Sequence, residues 1–466
     1  MDDLHPEDVK CKDLAMREHT VIRLYLINPS NPLVSITKVK ESRWNRYRVW
    51  KPLSLMVLAG LTPPEWETSI VDENLGEPDY AAMPRPDLVG ITAFTSQANR
   101  AYEVAAHFRR LGVPVVMGGI HATMCMDEAM LHADAVVTGE AESIWLEVLE
   151  DARHGRLKRR YDGGLAEIND VPPARHDLLP AKYAVGAIQT TRGCPLNCSF
   201  CSVTAFNGAH YRQRPIPDVV REFQSIREKH VLVVDDNLIG IRPDHISRAK
   251  DLFRAMAQAN LRKRWIAQAT INFADDEELL ALASRAGCRG IFIGFESPTP
   301  EGLLEIGKKF SILKGRDFRA SVRRIQRHGI LVVGSFIIGL DVDKPGIGRF
   351  LTPLPGTRLW DQMKSADRIA LNTFPDDWKY YTLTFPVARY KHFSLHDIIE
   401  DMISCERYFY SAPRILGRVW SSLWGRRQPL ISLVGNLSYR SNLRVSSKAY
   451  VNFKRYCDNA AGSPRS

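Results

Sequence analysis

The chain has 466 residues, 45% of them apolar and 25% charged, with a formal net charge of +10 at neutral pH. These values are typical of an ordinary globular protein, and the length allows two or three domains. The eight cysteines are mostly scattered, which excludes a disulfide framework and favours a reducing, cytoplasmic setting. We find no secretory signal and no apolar run long enough to span a bilayer.

The positive charge is concentrated in three stretches, residues 153–160, 262–264 and 407–455. Basic stretches can attract nucleic acid, anionic lipid or acidic substrates. A solvated basic face is the more common explanation, and we predict no specific nucleic-acid partner.

Residues 20–160 alternate between apolar strands and helical stretches. This alternation predicts a doubly wound parallel sheet of the flavodoxin/Rossmann-like type, which binds ligands beyond the carboxyl ends of its strands. The predicted strands are Val21–Ile27, Trp66–Val71, Leu88–Thr92, Val113–Met117 and Ala135–Val137, and the predicted helices are Ala101–Leu111 and Ser143–Ala152.

Small and polar residues follow these strands. They form the loops 95–97, 118–123 and 139–140. Glycines in such loops let the backbone approach a flat ligand closely. The pattern alone leaves the identity of this ligand open.

Residues 161–180 contain two glycines near their start and two consecutive prolines, Pro172 and Pro173, further on, and are predicted to be a linker. The next segment holds three cysteines, Cys194, Cys198 and Cys201, spaced CxxxCxxC. Three thiolates on one loop can bind three irons of a 4Fe-4S cubane, which normally takes four cysteine ligands. The next cysteine is Cys288, so the fourth iron would be open to a small molecule. A zinc site, which favours paired CxxC units, and three unrelated thiols are the alternatives.

An aromatic residue, Phe200, directly precedes the third cysteine. The loop therefore resembles that of the radical S-adenosylmethionine (SAM) superfamily, CxxxCxΦC with Φ aromatic. The resemblance implies that the open iron chelates the methionine part of SAM. One electron from the cluster then cleaves the sulfonium to give a 5′-deoxyadenosyl radical. It also implies an electron donor, such as a flavodoxin or a ferredoxin, as partner.

A glycine-rich sheet domain ahead of such a loop resembles the cobalamin-binding subclass of this superfamily, in which VxGGxH and TGE stretches recur. No DxHxxG sequence is present, so the resemblance implies no histidine ligand to cobalt from below. His121 has an equally good alternative role as the cap of the following helix. The cobalamin contacts implied by the resemblance are Thr95, Ser96, Gly118, Gly119, His121, Gly139 and Glu140.

Residues 181–365 repeat a β/α pattern that predicts a partial (β/α)6 barrel with its chemistry at the strand ends. The predicted strands are Val231–Val234, Trp265–Ala269, Ile291–Glu296 and Ile330–Ile338, and the predicted helices are Asp218–Lys229, Pro243–Gln258, Asp275–Ala286 and Arg316–His328. The resemblance places a set of residues around SAM, although acids at strand ends often only cap helices. This set is Phe200, Asp235, Asp236, Gln268, Gly294, Glu296 and Ile338.

The sequence departs from the family pattern between residues 341 and 350. A parallel crossover needs about a dozen residues or more, but this connection carries one proline, two glycines and no helical period. We therefore expect the last barrel strand either to fail or to be reached by an abnormal path, which puts catalytic competence in question.

Residues 366–466 are predicted to form a helical cap and a tail. Ser394, with Asp397 three residues later, opens a helix that runs to about Ser411. An aromatic-rich stretch, residues 373–386, precedes this helix. The cap either covers the barrel mouth or only buries core, and we favour the second interpretation.

The whole pattern implies a cobalamin-dependent radical SAM enzyme that methylates an unactivated carbon. The implied mechanism uses methylcobalamin as methyl carrier and a second SAM to restore it. A radical cyclase of the anaerobic porphyrin-ring type and a catalytically impaired relic are the alternatives. A methylthiotransferase is disfavoured because only Cys11 and Cys125 precede the cysteine loop. The substrate is a small molecule, with an apolar or lipid-like one among the candidates.

Overall fold

The N-terminal half of the chain builds a six-stranded parallel sheet. A computed structural model describes residues 21–31, 33, 50–180, 183–311, 317–342, 349–382, 384–424 and 429–462. The strand order is β2-β1-β3-β4-β5-β6, with every neighbouring pair parallel. The strands are β1 (Ile22–Asn28), β2 (Trp66–Asp72), β3 (Leu88–Thr92), β4 (Val115–Gly118), β5 (Ala135–Thr138) and β6 (Arg160–Asp162).

Helices cover both faces of this sheet, as a doubly wound fold requires. One face packs on α1 and α5 through a core that includes Leu26, Val116 and Trp145. The other face packs on α2, α3 and α4. These helices are α1 (Leu53–Leu61), α2 (Ala98–Arg110), α3 (Gly119–Met124), α4 (Met126–His132) and α5 (Trp145–Arg153).

The second half builds another six-stranded parallel sheet, which forms the partial barrel. Its order is β14-β13-β12-β11-β10-β7, so successive strands lie side by side. The strands are β7 (Gly186–Ile188), β10 (His230–Val233), β11 (Arg264–Gln268), β12 (Cys288–Glu296), β13 (Leu331–Ile338) and β14 (Arg349–Phe350). A two-stranded antiparallel hairpin follows β7 and consists of β8 (Thr191–Arg192) and β9 (Arg212–Gln213).

Amphipathic helices pack against the outer face of the barrel. Alternate strand residues, such as Trp265 and Ala267 of β11, join the helices in a buried core, while Ile266 and Gln268 face the barrel interior. The helices are α6 (Ser202–Asn207), α7 (Ile216–Ser225), α8 (Pro243–Gln258), α9 (Glu277–Arg285), α10 (Pro300–Glu305) and α11 (Phe318–Arg327).

The structure confirms the predicted fold class and adds a feature at the doubtful crossover. The sixth barrel strand does form, since β14 pairs in parallel with β13 through Ile337 and Arg349. It has only two residues. Residues 339–342 contain no helix, and residues 343–348 of the connection lie outside the described part of the chain. Failure of the strand is therefore excluded.

The C-terminal part is helical, as predicted. It contains α12 (Arg358–Ser365), α13 (Leu395–Phe409), α14 (Ala412–Trp424) and α15 (Pro429–Gly462). Ser394 caps α13, because its Oγ accepts a hydrogen bond from Asp397 N at 3.1 Å. The aromatic-rich stretch before α13 is largely buried and packs between the first sheet and α15, through Tyr380 and Phe453 among others.

Candidate active site and cofactor cavity

The cysteine loop begins at the β8/β9 hairpin, at the carboxyl end of β7. Gly193 has φ +83°, and a Cβ atom there would overlap the carbonyl of His210. A residue with a side chain would therefore open the hairpin. On the far side of the loop, Ser199 N donates to Ile306 O at 3.1 Å and Leu359 N donates to Ser199 O at 3.0 Å. The loop is thus held at both ends by backbone contacts.

Three consecutive polar residues after β10 hold the start of this loop. Fully buried Asp235 accepts hydrogen bonds from Thr190 N at 2.6 Å and from Thr190 Oγ1 at 2.5 Å. Asp236 accepts from Gly193 N at 2.8 Å. The Asn237 side chain donates to Cys194 Sγ at 3.8 Å. Burial raises the pKa of Asp235 to about 6, against the opposing effect of the Thr190 bonds.

A buried ion pair lies beside Cys198. Lys308 Nζ donates to Glu296 Oε1 at 2.9 Å and to Gly294 O at 2.7 Å. Burial raises the pKa of Cys198 to about 12, and the Lys308 charge opposes that rise. A Cβ atom at Gly294 would overlap Glu296 Oε1 and approach Lys308 Nζ to 3.1 Å, so the carboxylate would have to shift. The GxxxGxE pattern therefore serves to seat this pair.

The donor set of the loop fits a cubane cluster. Cys194, Cys198 and Cys201 are all free thiols close enough to influence one another electrostatically. Within the described ranges, no group of three His, Cys, Asp or Glu side chains converges as the ligands of one metal ion would. A cubane does not need that convergence, because each thiolate binds a different iron.

The other residues expected around SAM are Gln268, Gly294, Phe200 and Ile338. Gln268 is exposed toward the barrel interior, and Gly294 is half-buried on the neighbouring strand. Phe200 is half-buried and packs against the core shared with the first domain. Ile338 is the last residue of β13.

A cavity of about 590 Å³ lies between the two domains. Its walls come from the carboxyl ends of β1, β3, β4 and β5 and from the second domain. It continues into the barrel, because Gln189, Leu232, Val234 and Asp236 also line it. Arg192 and Ser202, which flank the cysteine loop on either side, line the same cavity, so the sheet ends and the approach to the loop share one chamber.

One part of this cavity is apolar and lies between the first sheet and helix α1. Gly90 and the side chains of Leu55, Val116, Val137 and Trp145 line this part. Another part is lined by the loops after β4 and β5, with Gly118, Gly119 and Gly139. An apolar slot next to a glycine-lined wall fits a flat macrocycle with a tail that enters the sheet domain.

Glu140 lines the cavity and also joins the two domains. It is buried, and its carboxylate accepts hydrogen bonds from Arg192 Nη1 at 2.9 Å, from Arg212 Nη1 at 2.8 Å and from Ala166 N at 2.9 Å. Arg192 also pairs with Glu142 at 2.7 Å. Burial would raise the pKa of Glu140, but the Arg212 hydrogen bond and the Arg192 charge lower it.

Three residues expected at cobalamin lie outside the cavity lining. Thr95 and Ser96 form a short 3-10 helix beyond β3. His121 is fully buried on the opposite face of the sheet, where its Nε2 lies 2.8 Å from the Tyr102 hydroxyl and its ring contacts Trp378. Its imidazole therefore faces the core shared with the C-terminal cap rather than the chamber.

Sequence reasoning missed several residues of the site. Arg192 and Arg212 were not singled out, although an arginine two positions before the first cysteine is visible in the sequence. The sequence gives no indication that Lys308 belongs to the site, because its ion pair with Glu296 forms only in the folded protein. Helix α1, which forms one wall of the cavity, was also not predicted.

A parallel sheet domain that shares a cavity with a partial barrel, at a loop of three free cysteines, defines the radical SAM class with an additional cofactor domain. The family model of the Radical SAM superfamily matches residues 188–345, and that of the B12 binding domain matches residues 45–149. The chain therefore belongs to the cobalamin-binding radical SAM superfamily, and its cofactors are a 4Fe-4S cluster, SAM and cobalamin.

Similar proteins agree with this assignment. Bacteriochlorophyllide d C-12(1)-methyltransferase of Chlorobaculum tepidum is 30% identical over 398 residues, which cover 79% of this chain and 84% of that protein. Hopanoid C-2 methylase of Rhodopseudomonas palustris is 27% identical over 345 residues, covering 68% and 65%. The structure of the radical SAM methyltransferase TsrM from Kitasatospora setae, with cobalamin and a [4Fe-4S] cluster bound, superposes with a TM-score of 0.58 at 21% identity, covering 76% and 79%. This last likeness shows the fold alone.

Proposed function

We propose that this enzyme transfers a methyl group to an unactivated carbon of an apolar, polycyclic small molecule. The observation that carries the proposal is the single chamber that joins the sheet ends of the first domain to the barrel interior behind the cysteine loop. The cluster, SAM and cobalamin supply radical generation and the methyl group. The protein has to hold these groups and the substrate in that chamber and keep water out.

Each protein group has a defined role in this proposal. Cys194, Cys198 and Cys201 hold the cluster, while Asp235 and Asn237 position their loop through the contacts described above. SAM is bound along the barrel interior by Asp236 and Gln268, beside the strand segment around Gly294 and the last residue of β13, Ile338. Phe200 lies on the cluster loop and contributes by packing against the core shared with the first domain.

The cobalamin site follows from the shape of the cavity. The loops that carry Gly118, Gly119 and Gly139 face the corrin, and the apolar slot next to them takes the nucleotide tail. Glu140 ties this site to the cysteine loop through its two arginines. The sequence has no DxHxxG ligand motif, and the apolar walls of the cavity would hold the cofactor mainly through van der Waals contact.

The choice of an apolar polycyclic substrate has two supports. The two curated relatives are named for a tetrapyrrole and for a hopanoid, both polycyclic. Ile266 and Val333 leave large apolar side chains exposed on the barrel strands, and by strand alternation Ile266 faces the interior. Neither side chain lines the cavity itself, but exposed apolar surface on the inner side of the barrel favours an apolar ligand.

The test uses the reconstituted enzyme with cobalamin, a strong reductant and SAM that carries a deuterated methyl group. Tetrapyrrole and hopanoid candidates are offered separately under anaerobic conditions. The proposal expects a product with the labelled methyl group, together with S-adenosylhomocysteine and 5′-deoxyadenosine. A product without the label and without S-adenosylhomocysteine would instead indicate a radical cyclase and would overturn methyl transfer.

A further inference from the structure

Helix α14 presents a large apolar face to solvent. Leu416, Trp420 and Leu423 lie four and three residues apart, so they share one side of the helix, and they are 65%, 63% and 54% exposed. Leu430, at the start of α15, is 75% exposed. Single exposed apolar residues are normal, but a contiguous group of this size on one helix marks an interaction surface. We call Leu416, Trp420 and Leu423 the outer face, and Leu430 is the next exposed apolar residue along the chain.

The helix is nevertheless anchored by its other side. Ile415 and Ser422 are buried. Arg418 donates to Asn436 Oδ1 of α15 at 2.7 Å and to Phe409 O at 2.7 Å. The outer face is therefore held in a fixed orientation by contacts with α13 and α15.

The stretch of sequence that contains this face carries charge of one sign. Between Arg407 and Cys457 the sequence contains ten lysine and arginine residues and no aspartate or glutamate. Among the exposed ones, Arg407 lies beside Tyr408, and the Arg414 guanidinium lies over the Tyr408 ring at 4.2 Å. The Tyr408 and Phe409 side chains are also exposed. The surface thus combines large apolar and aromatic side chains with cations.

This combination discriminates between the kinds of partner. A second copy of the chain would bring the same positive charge to the contact and would be repelled. Nucleic acid would satisfy the charge but would leave Leu416, Leu423 and Leu430 in water. An anionic bilayer surface accommodates both the apolar side chains and the positive charge. The apolar side chains enter the acyl boundary, while the cations contact the headgroups. In the described residues no helix is long and apolar enough to cross a membrane.

We propose that α14 and the start of α15 form a docking surface for anionic lipid bilayers, on which the protein binds peripherally. The inference is independent of the proposed methyl transfer, because binding requires neither cofactors nor turnover. If both hold, docking brings the enzyme to the phase in which an apolar substrate dissolves.

The test is co-sedimentation of the full chain with vesicles of phosphatidylcholine alone or mixed with phosphatidylglycerol. The chain offers a matched pair of variants on α14. Leu423→Glu places a charge on the outer face, and Ser421→Glu places the same charge on an exposed position away from that face. Binding to anionic vesicles should fall roughly tenfold for Leu423→Glu, because a large apolar contact is lost, and much less for Ser421→Glu.

A second arm tests the charge. The double variant Arg407→Gln and Arg414→Gln should weaken binding to anionic vesicles on the order of tenfold, and salt should weaken binding by the wild type. Light scattering on the same samples reports oligomeric state, and circular dichroism checks that each variant folds.

Five results would overturn the proposal. The wild type could stay in the supernatant with anionic vesicles or bind neutral vesicles equally well. The two glutamate variants could lose binding equally. Leu423→Glu could dissociate a wild-type dimer, which would assign the outer face to a second copy. A polyanion such as poly(U) could bind with the same dependence on Leu423, which would assign it to nucleic acid.

Discussion

Glu140→Gln is expected to weaken the contact between the two domains. The substitution keeps the size of the side chain but removes a charge that is only 2% exposed and that faces Arg192 and Arg212. Removal of one partner from a buried ion pair costs roughly 3–5 kcal/mol. Here Arg192 keeps Glu142, and Arg212 still donates to Ala166 O at 2.5 Å. We therefore expect a smaller loss, about 2–3 kcal/mol.

The assay is urea denaturation of the protein without cobalamin, so that ligand binding does not contribute. The matched control is Glu142→Gln, which removes only one partner of Arg192 and should cost about 1 kcal/mol. Because Arg192 lies two residues before Cys194, we also expect Glu140→Gln to retain less iron after reconstitution. A variant with unchanged stability but weakened cobalamin affinity would refute the reasoning, because Glu140 would then act as a cobalamin contact rather than as a tie between domains.

Two further predictions concern the barrel. Gly294→Ala should displace the Glu296–Lys308 pair, since its Cβ overlaps Glu296 Oε1, and should cost about 1–3 kcal/mol in thermal or urea denaturation. Asp235→Asn should change how stability depends on pH. The folded pKa of Asp235 is about 6, above its ordinary 3.8, so the folded state binds more protons between these values. Wild-type stability should therefore fall as pH rises from about 4 to 6, by on the order of 3 kcal/mol, and the variant should lack this fall.

The substitutions Gly294→Ala and Asp235→Asn each have a control variant. Gly417→Ala adds a Cβ atom where no atom lies within 4 Å, in a helix, and should stabilise slightly. A Gly294→Ala protein as stable as Gly417→Ala would contradict the packing argument. Asp170→Asn alters an exposed carboxylate and should keep the wild-type pH profile. If Asp235→Asn also kept that profile, burial of Asp235 would not control its titration.

Much of the fold follows from local patterns that the sequence displays. Apolar runs of strand length alternate with stretches of helical periodicity. From this alternation most strands and helices are predicted to within a few residues of their observed bounds. Helix α8 is predicted at its observed limits, Pro243–Gln258. Proline at its first turn and an apolar stripe explain that success. Strand β6 was missed, because Arg160–Asp162 is short and polar and is defined only by pairing with β5.

The site was predictable only where its functional residues lie close together in the sequence. The CxxxCxxC spacing identifies the cluster loop because all three ligands are on one segment. Glu140, by contrast, was chosen as a cobalamin contact, and its partners Arg192 and Arg212 come from 52 and 72 residues away. His121 shows the same limit: the GGxH pattern fixes the turn, but the helix that begins at Gly119 carries its side chain to the opposite face of the sheet. Contacts made by folding leave no local signal.

The doubtful crossover before β14 shows a different limit. The expected lack of a crossover helix between residues 341 and 350 stays a prediction, because residues 343–348 lie outside the described part of the chain. The expectation that the last strand could fail was wrong. The short connection does not prevent β14 from pairing with β13, because a strand of two residues needs little backbone to be aligned.

The central claim is that this loop and chamber support radical cleavage of SAM, and 5′-deoxyadenosine release tests it most directly. The anaerobically reconstituted protein is mixed with SAM, cobalamin and a strong reductant. Cys198→Ala is compared with Cys405→Ala, which removes a thiol on α13, away from the loop. The wild type and Cys405→Ala should release 5′-deoxyadenosine, and Cys198→Ala should not. No release from wild-type protein that binds about four irons, or equal release from Cys198→Ala, would contradict the claim.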